Sequence, residues 1–257
     1  VKIRTVARDT ILEAVRGRWL WMAALGALAV VAIAAFARGL ALTEDHEVGL
    51  AFAAPIARIV AVLIVSLNAI TSLVREQSDR TQLLALAAPM SRSAWLAGKM
   101  VGLGAIASLT ALVLTLPLLA FGPDPLGTLV WTASLVLELV LMASVCLAIG
   151  VVLTQIPPAV GAVVAFYVLA RDLHVVQLLA ARAQSYSDFG PAGPVVQAIT
   201  AVFPRLDLFT RTQWVFGDAG AGGGLISDFS VVLLQAVIYS LLAFSVAALD
   251  LRRAQLG

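Results

Sequence analysis

Apolar residues run along this chain in long stretches, with few of the polar alternations that mark a half-buried strand or a water-facing helix. Six stretches, at about residues 19–41, 52–74, 98–121, 126–153, 157–180 and 227–250, are each long enough to cross a bilayer. A hydrocarbon core of ~30 Å needs about 20 mainly apolar helical residues. The fourth, Leu126 to Leu153, is long enough to tilt or to begin with an interfacial turn. Ala35-Phe36-Ala37 has the small-residue look of a signal-peptide cleavage site. The apolar run before it exceeds the usual ~7–15 residues of a signal core, and Asp9 and Glu13 precede it, so the first stretch reads as a retained span.

The segments between the spans are patterned too. In residues 1–18, Ile3, Val6, Ala7, Ile11, Ala14 and Val15 recur at helical spacing, while Lys2, Arg8, Asp9, Glu13 and Arg16 mostly take the other face. This predicts an amphipathic helix lying in the membrane interface, apolar face down, before the chain turns inward at Trp19 and Trp21. After the second span, Asp79 and Gln82 have the spacing of a capping box, and Leu83, Leu84, Leu86 and Ala87 give the following turns an apolar face. Pro89 ends that helix, Ser91 caps the next, and Trp95 sits where an interfacial anchor belongs. A short surface helix is therefore expected at about 79–89, tied closely to the spans on either side. The connection at about 181–226 carries Gly190-Pro191 and Gly193-Pro194 breaks, then short amphipathic pieces near Val195–Phe203 and Leu206–Phe216, split by Pro204. Phe203, Leu208, Phe209, Trp214 and Phe216 suit either a segment dipping into the outer leaflet or an interfacial loop with aromatic anchors.

Composition closes off a soluble fold. Hydrophobic residues make up 61% of the 257 positions and charged residues 12%, against about 45–50% and roughly 25% in ordinary soluble domains. Mean hydropathy is +0.99. The fold class is an all-α polytopic membrane protein of six spans: residues 1–18 form the interfacial helix and 19–257 the spanning domain. Lys2, Arg4, Arg8, Arg16 and Arg18 precede the first span; Arg75, Arg80, Arg92 and Lys99 surround the connection between the second and third; Arg252 and Arg253 follow the sixth. With six spans all of these lie on one side, which the positive-inside rule makes cytoplasmic, together with both termini. A formal net charge of +2 and the lack of a basic stripe with interleaved aromatics give no reason to expect nucleic acid as a partner. The single cysteine, Cys146, lies in an apolar run and reads as a small packing residue.

The connection after the second span resembles the signature of ABC-2 type transporter permeases. The resemblance rests on Glu76, Arg80-Thr81, Leu83-Leu84, Pro89, Ser91-Arg92 and Gly98-Lys99. The family more often has Gly-Thr where this chain has Arg80-Thr81. The order of elements matches over the whole chain: amphipathic N-terminal helix, six spans, a cytoplasmic helix after span two, and short helical pieces before span six. The resemblance implies the transmembrane subunit of an ATP-binding cassette exporter in a prokaryotic cytoplasmic membrane, paired with a second permease copy and with two separate ATPase subunits. It also implies that the helix at 79–89 is the coupling helix seated on the ATPase, so that Glu76, Asp79, Arg80, Thr81, Leu83, Leu84, Leu86 and Pro89 carry the coupling. ATP and magnesium would then bind the partner. Consistently, this chain has no G-x-x-x-x-G-K-[ST] loop, and the cluster Gly217, Gly220, Gly222, Gly223 and Gly224 lacks the lysine and falls on the non-cytoplasmic side. In the family the pieces before span six are re-entrant and gate the outer exit.

Ionisable groups at membrane depth are costly and usually face a cavity or a partner. Glu138, near the middle of the fourth span, reads as a cation or proton site, as path lining, or as a hydrogen-bonding group between helices. Arg171, Asp172 and His174 near the outer part of the fifth span are expected to neutralise one another or to pair with Arg58. Asn68 and Ser66 in the second span and Gln235 in the sixth are candidates for path lining or helix binding. Gly98 and Gly102 have the G-x-x-x-G spacing of close helix packing, with Gly104 beyond them. Asp228 and Asp250, at opposite ends of the sixth span, are expected to be wetted. No Ser/His/Asp set, H-E-x-x-H or paired carboxylates at helical spacing supports catalysis or a resident cofactor in this chain. Two rivals remain: an ion- or proton-coupled secondary transporter using Glu138, which inverted repeats would favour, and a membrane enzyme or assembly factor, which would need a catalytic cluster.

Overall fold

Side chains placed at the ends of the apolar stretches set where helices begin. Ser91, in an extended conformation, accepts a hydrogen bond at Oγ from the Ala94 N–H (3.3 Å), and Asp124 accepts at Oδ2 from the Gly127 N–H (2.6 Å) with Pro125 in the first helical position. Between these two helices Gly122 takes φ +63°, a left-handed conformation that glycine adopts without a Cβ clash. The computed structural model describes residues 2–40, 45–78, 91–185, 203–216 and 225–253. The helix expected at 79–89, and much of the outer connection, lie outside the described residues.

Among the described residues there are seven helices: α1 (Lys2–Arg16), α2 (Trp19–Gly39), α3 (Asp45–Ser78), α4 (Arg92–Leu119), α5 (Pro125–Val152), α6 (Ile156–Ser185) and α7 (Leu225–Arg253). Two short 3-10 turns, Leu206–Phe209 and Thr212–Phe216, precede α7. Among the described residues there is no strand. Among the described residues, helices α2 to α7 are the six that are long and apolar enough to cross a membrane. Several overrun the predicted apolar stretches; α3 runs from 45 to 78 and α4 begins at 92. Hydropathy registers only the hydrocarbon slab, whereas a helix keeps its own hydrogen bonds through the headgroup layer.

Helix α5 forms the centre, packed against α3, α4, α6 and α7. It is buried on several faces, through Trp131, Leu135, Leu139, Met142 and Cys146 among others, and Cys146 is a free, buried packing residue. Helices α2 and α7 instead present Leu25, Leu28, Phe36, Leu234, Leu241 and Leu249 outward. Such apolar surfaces suit lipid contact and would be a liability in water.

The N-terminal helix is present as the periodicity predicts, but its small face meets protein. Ala7, Thr10 and Ala14 are buried, and α1 packs along α4. A Cβ added at Gly98 would lie 2.6 Å from Val6 Cβ, and one at Gly102 would lie 2.7 Å from Thr10 Cβ. The G-x-x-x-G therefore seats α1, a helix outside the six candidate spans. Small residues let the two backbones approach closely where larger ones would force them apart. Gly104 faces open space. Gly98→Ala and Gly102→Ala should each destabilise the protein by about 1–3 kcal/mol through overpacking, while Gly104→Ala should be neutral or slightly stabilising. Thermal melts in detergent would check this; equal effects at all three positions would refute the seating of α1 on the glycines.

Candidate functional site

Among the described residues, two clusters of buried charge stand out. The first joins α3 and α4 near the ends that flank the 79–91 connection. Lys99 of α4 is buried, so its ammonium must be paired. Its Nζ pairs with the Glu76 carboxylate of α3, donates to Ser72 Oγ at 3.3 Å and lies 3.7 Å from Glu13 Oε2 of α1. Ser72 Oγ in turn donates to Glu13 Oε2 at 2.8 Å. One turn further along α3, Gln77 Nε2 donates to the Gly150 carbonyl of α5 at 2.7 Å. The chain leaves α3 at Ser78 and re-enters α4 at Arg92. The pair Glu76–Lys99 thus ties together the two ends of the 79–91 connection and adds α1 to the knot. Of the residues assigned to coupling by resemblance, Glu76 has this placement; Asp79, Arg80, Thr81, Leu83, Leu84, Leu86 and Pro89 lie outside the described residues.

The second cluster sits at membrane depth. Arg58 of α3 and Glu138 of α5 are both inaccessible, and Arg58 Nη1 donates to Glu138 Oε2 at 2.5 Å. Arg58 Nη2 donates to Ser134 Oγ at 2.9 Å, and the guanidinium lies over the Trp131 ring with Cζ 4.9 Å from its centroid. The cation is thereby satisfied by a charge, a hydroxyl and an aromatic face at once. Ser134 Oγ has the Trp131 carbonyl at 2.7 Å and the Phe209 carbonyl at 3.1 Å as acceptors, so the cluster reaches the 3-10 turn at Leu206–Phe209. Arg171 of α6 approaches from the other side. Its Nη1 donates to Tyr167 Oη at 3.2 Å and lies 3.8 Å from Glu138 Oε1.

This arrangement corrects one expectation. Arg58 pairs with Glu138 and not with the group around Arg171. Asp172 follows Arg171 directly on α6, which turns it about 100° away, and it is exposed; the His174 side chain lies outside the described residues. The predicted stretches put Arg58 six and Glu138 twelve residues from their starts, so depth gave no signal of the pair. In the structure each lies thirteen residues beyond the first residue of its helix, Asp45 and Pro125, which brings them level. Asn68 and Gln235 are half-buried on α3 and α7, and neither side chain takes part in this cluster.

Residues 203–216, the described part of the connection between α6 and α7, fold over the cluster. Leu206, Phe209, Trp214 and Val215 are buried, the Asp124 N–H donates to the Val215 carbonyl (3.1 Å), and a Cβ at Gly127 would fall 1.6 Å from the Trp214 carbonyl oxygen. Of the aromatic side chains expected at the outer leaflet, Phe209 and Trp214 are instead buried, Phe203 lies against Phe166 of α6 with ring centroids 5.4 Å apart, and Phe216 is left outward. Arg211 pairs with Asp228 at the start of α7, and the Asp228 side chain stays 35% exposed, wetted as expected. Among the described residues no group of three or more His, Cys, Asp or Glu side chains could hold a metal ion. No protein-family model and no curated protein matches the chain.

Removing one partner of a buried ion pair leaves an uncompensated charge, at a cost of about 3–5 kcal/mol, while an apolar replacement of both is often tolerated. Arg58→Met and Glu138→Leu should each lower stability on that scale, and the double variant should recover at least half of the summed loss. Detergent unfolding curves measure this. Additive losses would show that the two side chains do not act as a pair.

Proposed function

We propose that this chain is the membrane-spanning subunit of an ABC-2 type exporter, working as a dimer of permeases on separate cytoplasmic ATPase subunits. One observation carries the reading. Glu76 and Lys99, which bracket the segment resembling the coupling helix, are bonded to each other, and Lys99 also pairs with Glu13 of α1. A push on residues 79–89 would then reach α3, α4 and α1 as one unit. Closure of the ATPase dimer on ATP would press the two coupling segments together and reshape the path between the permeases. ATP and magnesium belong to the partner, since this chain has no phosphate-cradling loop. The chain contributes force transfer and path lining, and no bond chemistry.

The six candidate spans, the one-sided basic residues and the matching order of elements support the same reading. They also support a prokaryotic cytoplasmic membrane with both termini inside. The 3-10 turns packed over the outer end of α5 occupy the place where the family has its outer gate, and we assign them that role here. A secondary transporter using Glu138 has less support: a coupling carboxylate has to be free to take up and release its ion, and Glu138 is held by Arg58.

The test compares tagged wild type with Leu84→Asp, each solubilised in mild detergent from the native host. Wild type should co-purify with a subunit that carries a Walker A sequence and hydrolyses ATP. Leu84→Asp should lose that subunit by at least tenfold while melting within a few degrees of wild type. Wild type that brings down no ATPase, under conditions that preserve other membrane complexes, overturns the proposal.

A further inference from the structure

A cavity of about 330 Å³ opens between α3 and α6, at the lower end of the ~300–1,000 Å³ range of small-molecule sites. Its walls are apolar: Ile59, Val62 and Leu63 on α3 face Val163, Val164 and Val168 on α6. The polar groups lie toward the ends. Ser66 sits at the inner end, 95% buried, with no hydrogen-bond partner for Oγ beyond the approach of the Cys146 thiol. Tyr167, Arg171 and Asp172 stand toward the outer end. The two helices run antiparallel, so this ordering holds on both walls. From Ile59 to Ser66 the groove extends for about 10 Å along α3.

The charges around Arg171 do not close among the side chains behind it. Glu138 is a single carboxylate facing two guanidinium groups. Its Oε2 is taken by Arg58 at 2.5 Å, while Oε1 makes no hydrogen bond and stands 3.8 Å from Arg171 Nη1. Arg58 is 1% exposed, whereas Arg171 is 21% exposed and lines the cavity. A guanidinium has five N–H donors in a planar fork suited to a carboxylate, phosphate or sulfonate. Tyr167 Oη accepts one of those of Arg171, at 3.2 Å. A cation within a spanning helix needs a counter-charge, and an apolar groove beside it needs an apolar filling. Asp172, on the rim, is the one acidic side chain among the cavity's lining residues, and it is exposed.

We propose that the groove between α3 and α6 binds a single-chain amphiphile with an anionic head, the head held by Arg171 and the chain lying between Leu63 and Val164. The inference goes beyond the exporter reading and does not rest on it: it requires only the groove and its guanidinium. Asp172 moderates the affinity by repelling the head.

The test uses the full chain in phosphatidylcholine nanodiscs and a diazirine-bearing palmitate as the probe, with crosslinks mapped by mass spectrometry. The probe should label α3 between Ile59 and Ser66 and α6 between Val163 and Val168. Palmitate should compete at least tenfold more effectively than hexadecanol. Arg171→Gln should abolish that preference, Asp172→Asn should enhance labelling by the acid, and Val163→Trp, which fills the groove, should abolish labelling. Equal competition by acid and alcohol overturns the proposal, as does labelling unchanged by Val163→Trp. Phosphatidylglycerol that displaces the probe mole for mole as well as palmitate overturns the single-chain assignment. The Asp172→Asn variant leaves the Glu138 cluster intact, so its enhancement separates head recognition from any loss of folding in Arg171→Gln.

Discussion

The contact between Arg58 and Glu138 constrains more of this molecule than any other. Neither side chain reaches solvent, and an unpaired charge at that depth costs several kcal/mol. The helices that carry them must therefore hold a fixed register. Through Ser134 the requirement passes to the Phe209 carbonyl and the outer turns, and through Glu138 Oε1 to Arg171 and α6. A single ion pair thus positions α3, α5, α6 and the outer connection relative to one another.

Helix α3 links this pair to the inner cluster. Its 34 residues span about 50 Å as a straight helix, with Arg58 at membrane depth and Ser72, Glu76 and Gln77 in its last two turns. Lys99 draws the inner end of α4 and the helix α1 to the same place. A force applied between Ser78 and Arg92 meets helices that are already bonded together, so they move as a body. The same reasoning explains why α1 is seated on glycines: it holds its position through close backbone contact, with few large apolar side chains to anchor it.

Helices α2 and α7 follow a different rule. Their large side chains point mostly outward, and contact with lipid tails is as favourable to them as contact with another apolar helix. Burial is concentrated on α5 and on the faces of α3 and α4 that meet it. Polar groups on those three helices find partners across the interface, as Thr115 and Thr132 do at 3.1 Å. Specificity of packing comes from these contacts, because hydrophobicity alone does not distinguish protein from bilayer here.

Much of the architecture was legible in the linear pattern. Stretches of about 20 apolar residues specify spanning helices because backbone polar groups have no other partners in hydrocarbon. Helical periodicity located the N-terminal helix, and residue type located the cap at Ser91. Depth along a helix was readable only coarsely: the predicted stretches put Arg58 six and Glu138 twelve residues from their starts, and the observed helix bounds bring the two level. Which neighbour a side chain meets was not readable, because periodicity specifies a face of a helix but not the element packed against it. Tertiary structure alone decided that Gly98 and Gly102 receive α1, that Lys99 gathers Glu13 and Glu76, that Phe209 and Trp214 turn onto α5, and that Arg171 is left at the edge of a groove. Each of these depends on how helices distant in sequence are rotated about their axes, and that rotation is set by the requirement that every buried charge find a partner at once.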